Sequence, residues 1–145
     1  MILIVEHDTA DADLLVHMLD KYGKQALVVG TLDEALAPTL DSPEVVLLDL
    51  GLTGVGGVAA VTACLTRYPH VPVIVVTGFE DDTVYDAIAA GAVSYLVKNS
   101  LTGRDLNWLL QLASLRGEIV RLGMTVAALE SRLKSDALKD KPTGS

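Results

Sequence analysis

Short apolar runs punctuate the chain at regular intervals. Ile2 to Val5, Val45 to Leu48 and Val71 to Val76, the last broken only by Pro72, are all of strand length, and a polar residue follows each one. Ala26 to Val29, ending at Gly30, and Val93 to Val97, ending at Lys98, complete a set of five. Alternation is missing from these runs, so both faces of each strand are expected to be covered, as in a parallel sheet.

Between the runs the spacing turns helical. Leu14, Leu15, Met18 and Leu19 share one face after Asp8, and Gly23 stands at the position of a C-terminal cap. Thr31-Leu32-Asp33-Glu34 reads as a capping box whose helix Pro38 cuts short. Val55 to Tyr68 closes before Pro69, and Asp81-Asp82-Thr83 opens an acidic helix that stops at Gly91. A last helix begins near Thr102. Alternating strands and helices predict an α/β fold, a flavodoxin-like (βα)5 doubly wound parallel sheet with an extended last helix.

The last helix carries a second pattern. Trp108, Leu112, Leu115, Ile119, Leu122, Val126, Leu129 and Leu133 follow steps of four and three, a heptad seam. The chain's own sheet is expected to cover Trp108 to Leu115, and a partner helix the remainder. Gly117 and Gly123 each weaken the helix by about 1 kcal/mol relative to Ala, which adds to the need for a partner. The reading divides the chain into a compact domain over 1–115, a helical or coiled-coil extension over 116–138, and a linker or appended end over 139–145.

Composition narrows the function. In 145 residues with 50% hydrophobic but 4% aromatic content there is room for one aliphatic core. A net charge of −8 argues against direct binding of nucleic acid or an anionic membrane by this segment. The single Cys64 excludes an internal disulfide, and with no signal peptide or membrane span in view a cytoplasmic location is expected.

In doubly wound sheets the site lies beyond the carboxyl ends of the strands. Those ends hold Glu6-His7-Asp8, Asp49, Thr77-Gly78 and Lys98. Taken singly, Glu6 or Asp8 is explained as a helix cap. Asp49 is not, because a carboxylate closing Val-Val-Leu-Leu is costly unless it has a purpose. Acids, a hydroxyl and a lysine on one rim are what cation-assisted phosphoryl transfer to a carboxylate requires, with Mg2+ bridging the nucleophile and the incoming group. The glycines Gly51, Gly54, Gly56 and Gly57 fit neither a nucleotide P-loop nor a dinucleotide fingerprint, which with the few aromatic residues disfavours a nucleotide- or flavin-binding enzyme.

Through VEHD, VVLLDLGLTGVGG, VIVVTG and AGAVSYLVKNS, in that order from Met1 to about Leu115, the sequence resembles the receiver domains of two-component response regulators. The resemblance implies a non-enzymatic signalling module. Asp49 would be the phosphoacceptor, Thr77 the switch hydroxyl, Lys98 the phosphate-facing lysine and Tyr95 the switch aromatic. Glu6, Asp49 and the backbone carbonyl of Gly51 would serve the metal, with His7 as an atypical member that weakens Mg2+. Implied partners are a histidine kinase or phosphotransfer protein, a second copy joined through the last helix, and an output domain beyond it. His7 replaces a second acid, Thr53 a proline in the loop after Asp49, and Asn99 the proline that usually follows the lysine. The alternative is a phosphorylation-independent pseudo-receiver that acts through protein contacts alone.

Overall fold

The computed structural model describes residues 1–52, 56–122, 131 and 134. Five strands, β1 (Ile2–Val5), β2 (Ala26–Val29), β3 (Val45–Asp49), β4 (Val73–Thr77) and β5 (Ser94–Val97), form one sheet in the order β2-β1-β3-β4-β5. Every pairing is parallel. After β2 the chain returns to the other side of β1, so strand order reverses between β1 and β3, and a crevice opens where Glu6 and Asp49 emerge.

β1, β3 and β4 are buried along their whole lengths, which is why their sequences do not alternate. Leu3, Val5, Val46, Leu48, Val73 and Val75 feed one core with Ala60, Val61 and Cys64 of α3 (Gly57–Arg67) and Ala87 of α4 (Asp82–Ala89). Ile2, Ile4, Val45, Leu47, Ile74 and Val76 feed the other, with Leu15 and Leu19 of α1 (Thr9–Asp20) and Leu106, Leu110 and Ala113 of α5 (Gly103–Arg121). Edge strand β2 leaves Leu27 and Val28 exposed.

Local signals hold where their chemistry is specific. Asp8 caps α1 by accepting from the Asp11 N–H at 2.9 Å, and Gly23, with φ +69°, closes it in the left-handed region. Thr31 caps α2 (Leu32–Ala35), a single turn, as the nearby proline requires. No cis peptide occurs among the described residues, and after β5 the chain makes a 3₁₀ turn over Lys98–Ser100, where the sequence has Asn99 instead of proline.

The expected covering of α5 is corrected. Its sheet-facing residues are Leu106, Leu110 and Ala113, whereas Trp108, Leu112 and Leu115 are about half exposed, and Ile119 of the seam is buried. Two apolar stripes share this helix, and the heptad reading followed the outer one. Gly117 has a local reason that the sequence did not reveal: a Cβ there would meet Pro72 Cγ at 3.0 Å, so the glycine lets α5 lie against the approach to β4. Val126, Leu129, Leu133 and the end from Lys139 lie outside the described residues, as do Thr53 and Gly54.

Candidate functional site

Among the described residues, three buried polar ones stand out in a largely aliphatic interior: Glu6, Asp49 and Thr77. Each closes or follows a central strand, where the ladder ends and a side chain turns toward the rim. They line one cleft of about 340 Å³ together with His7, Asp11, Gly51, Phe79 and Lys98. The topology alone brings these segments together, since β1, β3, β4 and β5 all end on the same side.

Asp49 is 4% exposed, and its two oxygens differ. Oδ1 accepts the Gly51 N–H at 2.9 Å and lies 3.6 Å from Lys98 Nζ. Oδ2 faces the ring of His7, with Nδ1 at 3.7 Å. One oxygen is therefore held by donors and the other faces the open cleft. Gly51 is well chosen for this task, because a Cβ there would sit 3.3 Å from Asp49 Oδ1.

Glu6 is equally buried. Its Oε1 accepts the Asp8 N–H at 3.1 Å, while Oε2 makes an ion pair with Lys98 Nζ at 2.8 Å. Burial pushes the Glu6 carboxyl above its usual range, Lys98 opposes that shift, and neighbouring Asp49 adds to it. Lys98 experiences the mirror image. Burial alone would lower its pKa, but the contacts with Asp11 and Glu6 and the field of Asp49 prevail and hold the ammonium above its ordinary value.

Asp11 is the member that sequence reading missed. Lys98 donates to its Oδ2 at 2.8 Å, closer than the 3.6 Å to Asp49. An acid in the first turn of α1 reads locally as dipole chemistry, and nothing local joins it to a lysine so far along the chain.

Thr77 lines the cleft, but its hydroxyl is engaged nearby: it donates to the Phe79 carbonyl at 3.0 Å and accepts the Phe79 N–H at 3.3 Å. Tyr95 lies apart from the cluster. Its hydroxyl donates to Glu80 Oε1, and that bond raises the phenol's pKa. Of the expected residues, Glu6, His7, Asp49 and Lys98 are thus gathered tightly, Thr77 is adjacent, and Tyr95 sits on the neighbouring β5 surface.

The donor atoms of Glu6, His7 and Asp49 all lie within 4.8 Å of one another. Two buried carboxylates and an imidazole fit a divalent cation. The oxygens suit Mg2+, whereas the nitrogen is not a donor that Mg2+ favours.

Comparison with known proteins agrees with the fold and gives the family. The family model described as "Response regulator receiver domain" matches residues 2–107. Response regulator protein VraR of Staphylococcus aureus is 32% identical over 106 residues, covering 72% of this chain and 50% of VraR. Response regulator protein FleR of Pseudomonas aeruginosa is 33% identical over 100 residues, covering 67% of this chain and 21% of FleR. A CheY-like receiver domain from Methanospirillum hungatei superposes with a TM-score of 0.73 at 27% identity, over 81% of this chain and 94% of that one. The chain spans about half the length of VraR and a smaller share of FleR.

Proposed function

The chain belongs to the response regulator receiver family, and from that premise we propose that it accepts a phosphoryl group on Asp49 from a histidine kinase or phosphotransfer protein and relays the change through β5 and its last helices. The observation that carries this reading is Asp49 itself: a buried carboxylate with Oδ1 tethered to Gly51 and Oδ2 facing the open cleft.

A carboxylate oxygen of Asp49 attacks: its bond to phosphorus forms while the donor's bond to phosphorus breaks, and the departing donor nitrogen takes a proton from solvent. Glu6, His7 and Asp49, with the backbone carbonyl of Gly51, would hold a divalent cation, Mg2+ in the resemblance, which would supply positive charge to offset that of the carboxylates and the incoming group. Lys98 exchanges its contact with Asp11 for a phosphoryl oxygen. Thr77 turns its hydroxyl from Phe79 toward another, which alters the β4–α4 connection and the space beside Tyr95.

Signal output follows the exposed surface. Trp108, Leu112 and Leu115 on α5, with Leu122 just past its end, are exposed, which supports a homodimer or a docked output domain continuing from that helix. Among the described residues no helix is long and apolar enough to cross a membrane. A cytoplasmic, non-enzymatic regulator that does not itself bind nucleic acid or membrane fits this reading.

His7, which in the resemblance replaces an acid, favours a second reading, the phosphorylation-independent pseudo-receiver. One experiment separates the two. A small-molecule phosphodonor with a divalent cation is expected to add one phosphoryl group to the wild type and none to Asp49→Asn, read by intact mass. The same adduct on both proteins would sink the assignment, and no adduct on either favours the pseudo-receiver.

A further inference from the structure

The rim holds an imidazole where a set made only of oxygens would hold a third carboxylate. His7 Nδ1 lies 3.8 Å from Glu6 Oε1 and 3.7 Å from Asp49 Oδ2. These spacings are close to the ~3.3 Å edge of a tetrahedron drawn with 2.0–2.1 Å bonds from a metal to nitrogen and oxygen. Both carboxylates are buried, whereas the His7 side chain is 52% exposed and stands at the mouth.

Charge decides which ion such a site holds. Lys98 lies 2.8 Å from Glu6 and 3.6 Å from Asp49, and although Asp11 shares it at 2.8 Å, its ammonium offsets part of the field of those two carboxylates. A hard ion such as Mg2+ depends on that field, prefers oxygen and gives up water reluctantly. The imidazole lone pair is a donor that Lys98 does not neutralise, and it suits first-row transition ions. We propose that Glu6, His7 and Asp49 form a site for a nitrogen-accepting divalent cation of the Co2+ to Zn2+ type, bound in preference to Mg2+ with His7 as the residue that selects it. This deepens the receiver reading by naming its cation, and rests on that reading only in placing the ion beside Asp49.

Because nearly any mixed site ranks transition ions above Mg2+, the test is the change on substitution. Calorimetric titration of the full chain with Co2+ alone and Mg2+ alone, in a His17→Gln/His70→Gln background, gives the affinity ratio for His7 and for His7→Asp. The ratio is expected to fall at least ten-fold in His7→Asp, with Mg2+ gaining and Co2+ losing, and the Co2+-shifted imidazole proton signal should vanish. His7→Gln provides the same test without the added charge: Co2+ affinity should drop about ten-fold while Mg2+ affinity stays unchanged. An unchanged ratio, or a shifted imidazole signal that survives the loss of His7, overturns the proposal. Adducts on Asp49 are read separately by mass, so a chain that takes phosphoryl but shows no His7 effect refutes the cation choice alone. One that binds Co2+ through His7 but takes no phosphoryl refutes only the receiver chemistry.

Discussion

The central strands end in two concavities of opposite character. At their carboxyl ends a cleft of about 340 Å³ gathers Glu6, His7, Asp11, Asp49 and Lys98, with carboxylates buried close enough to repel one another. At the other end a smaller hollow of about 180 Å³ is lined by Leu65, Pro69, Pro72, Gly91, Val93 and Gly117, where side chains and backbone touch directly. The first concentrates charge at a cost in desolvation. The second relies on close approach, with a proline against a helical glycine and a glycine turn under a leucine. Close packing and clustered charge therefore lie at opposite ends of the same strands, a division that substitutions can test.

The largest expected effect lies at the packed end. Gly91 has φ +122°, a conformation L side chains rarely adopt, and a Cβ there would lie 2.6 Å from Leu65 Cδ1. Gly91→Ala is expected to cost roughly 2 kcal/mol, a fall in melting temperature of roughly 6 °C, without altering the titration of a divalent cation at the far end. A variant that melts like the wild type would show that this end tolerates strain, and the contrast would fail.

At the charged end the sign should reverse. Asp49→Asn keeps an oxygen for the Gly51 N–H, removes like-charge repulsion with Glu6 and offers that carboxylate an amide donor. Stability is expected to rise by about 1 kcal/mol in chemical denaturation while phosphoryl acceptance disappears. The pH dependence follows from Glu6. Its folded pKa is raised, so its contribution favours the fold at pH below the unfolded value of 4.5 and is lost as pH rises through the folded value. In Asp49→Asn one cause of the rise is gone, and that loss should shrink. Denaturation midpoints from pH 4 to 8 check both statements, and a less stable Asn protein at neutral pH would mean that Asp49 contributes to the fold after all.

How far the sequence revealed this division depended on range. β1, β3 and β4 were legible because a strand buried on both faces must be apolar throughout, and the polar rim was legible because polar residues closed those runs. Capping by Asp8 and Thr31 was readable because it acts within three residues. The orientation of α5 was not, since Leu106, Leu110 and Ala113 and the outer stripe from Trp108 both satisfy helical spacing and only the sheet's position chooses between them. Gly117 looked like a weakness until Pro72 was found beside it. Asp11 stayed hidden for the same reason: its partner Lys98 is 87 residues away.

Asp11 supplies the smallest effect on stability and the sharpest on chemistry. Its side chain is 41% exposed, so the ion pair with Lys98 is screened by solvent, and Asp11→Asn should change stability by less than about 0.5 kcal/mol. The resting lysine nevertheless lies nearer Asp11, at 2.8 Å, than Asp49, at 3.6 Å. To meet a phosphoryl oxygen on Asp49 it must give up part of that contact. Neutralising Asp11 lowers the cost of the exchange, while Glu6 at 2.8 Å still keeps the ammonium in the cleft. Phosphorylation of Asp11→Asn by a small-molecule donor is therefore expected to run about three- to ten-fold faster than that of the wild type, a change of roughly 1 kcal/mol in barrier, at unchanged melting temperature. A slower variant would reverse the assignment: Asp11 would then be the group that aims Lys98 at the reacting oxygen, and the charged end would be arranged for speed even at rest.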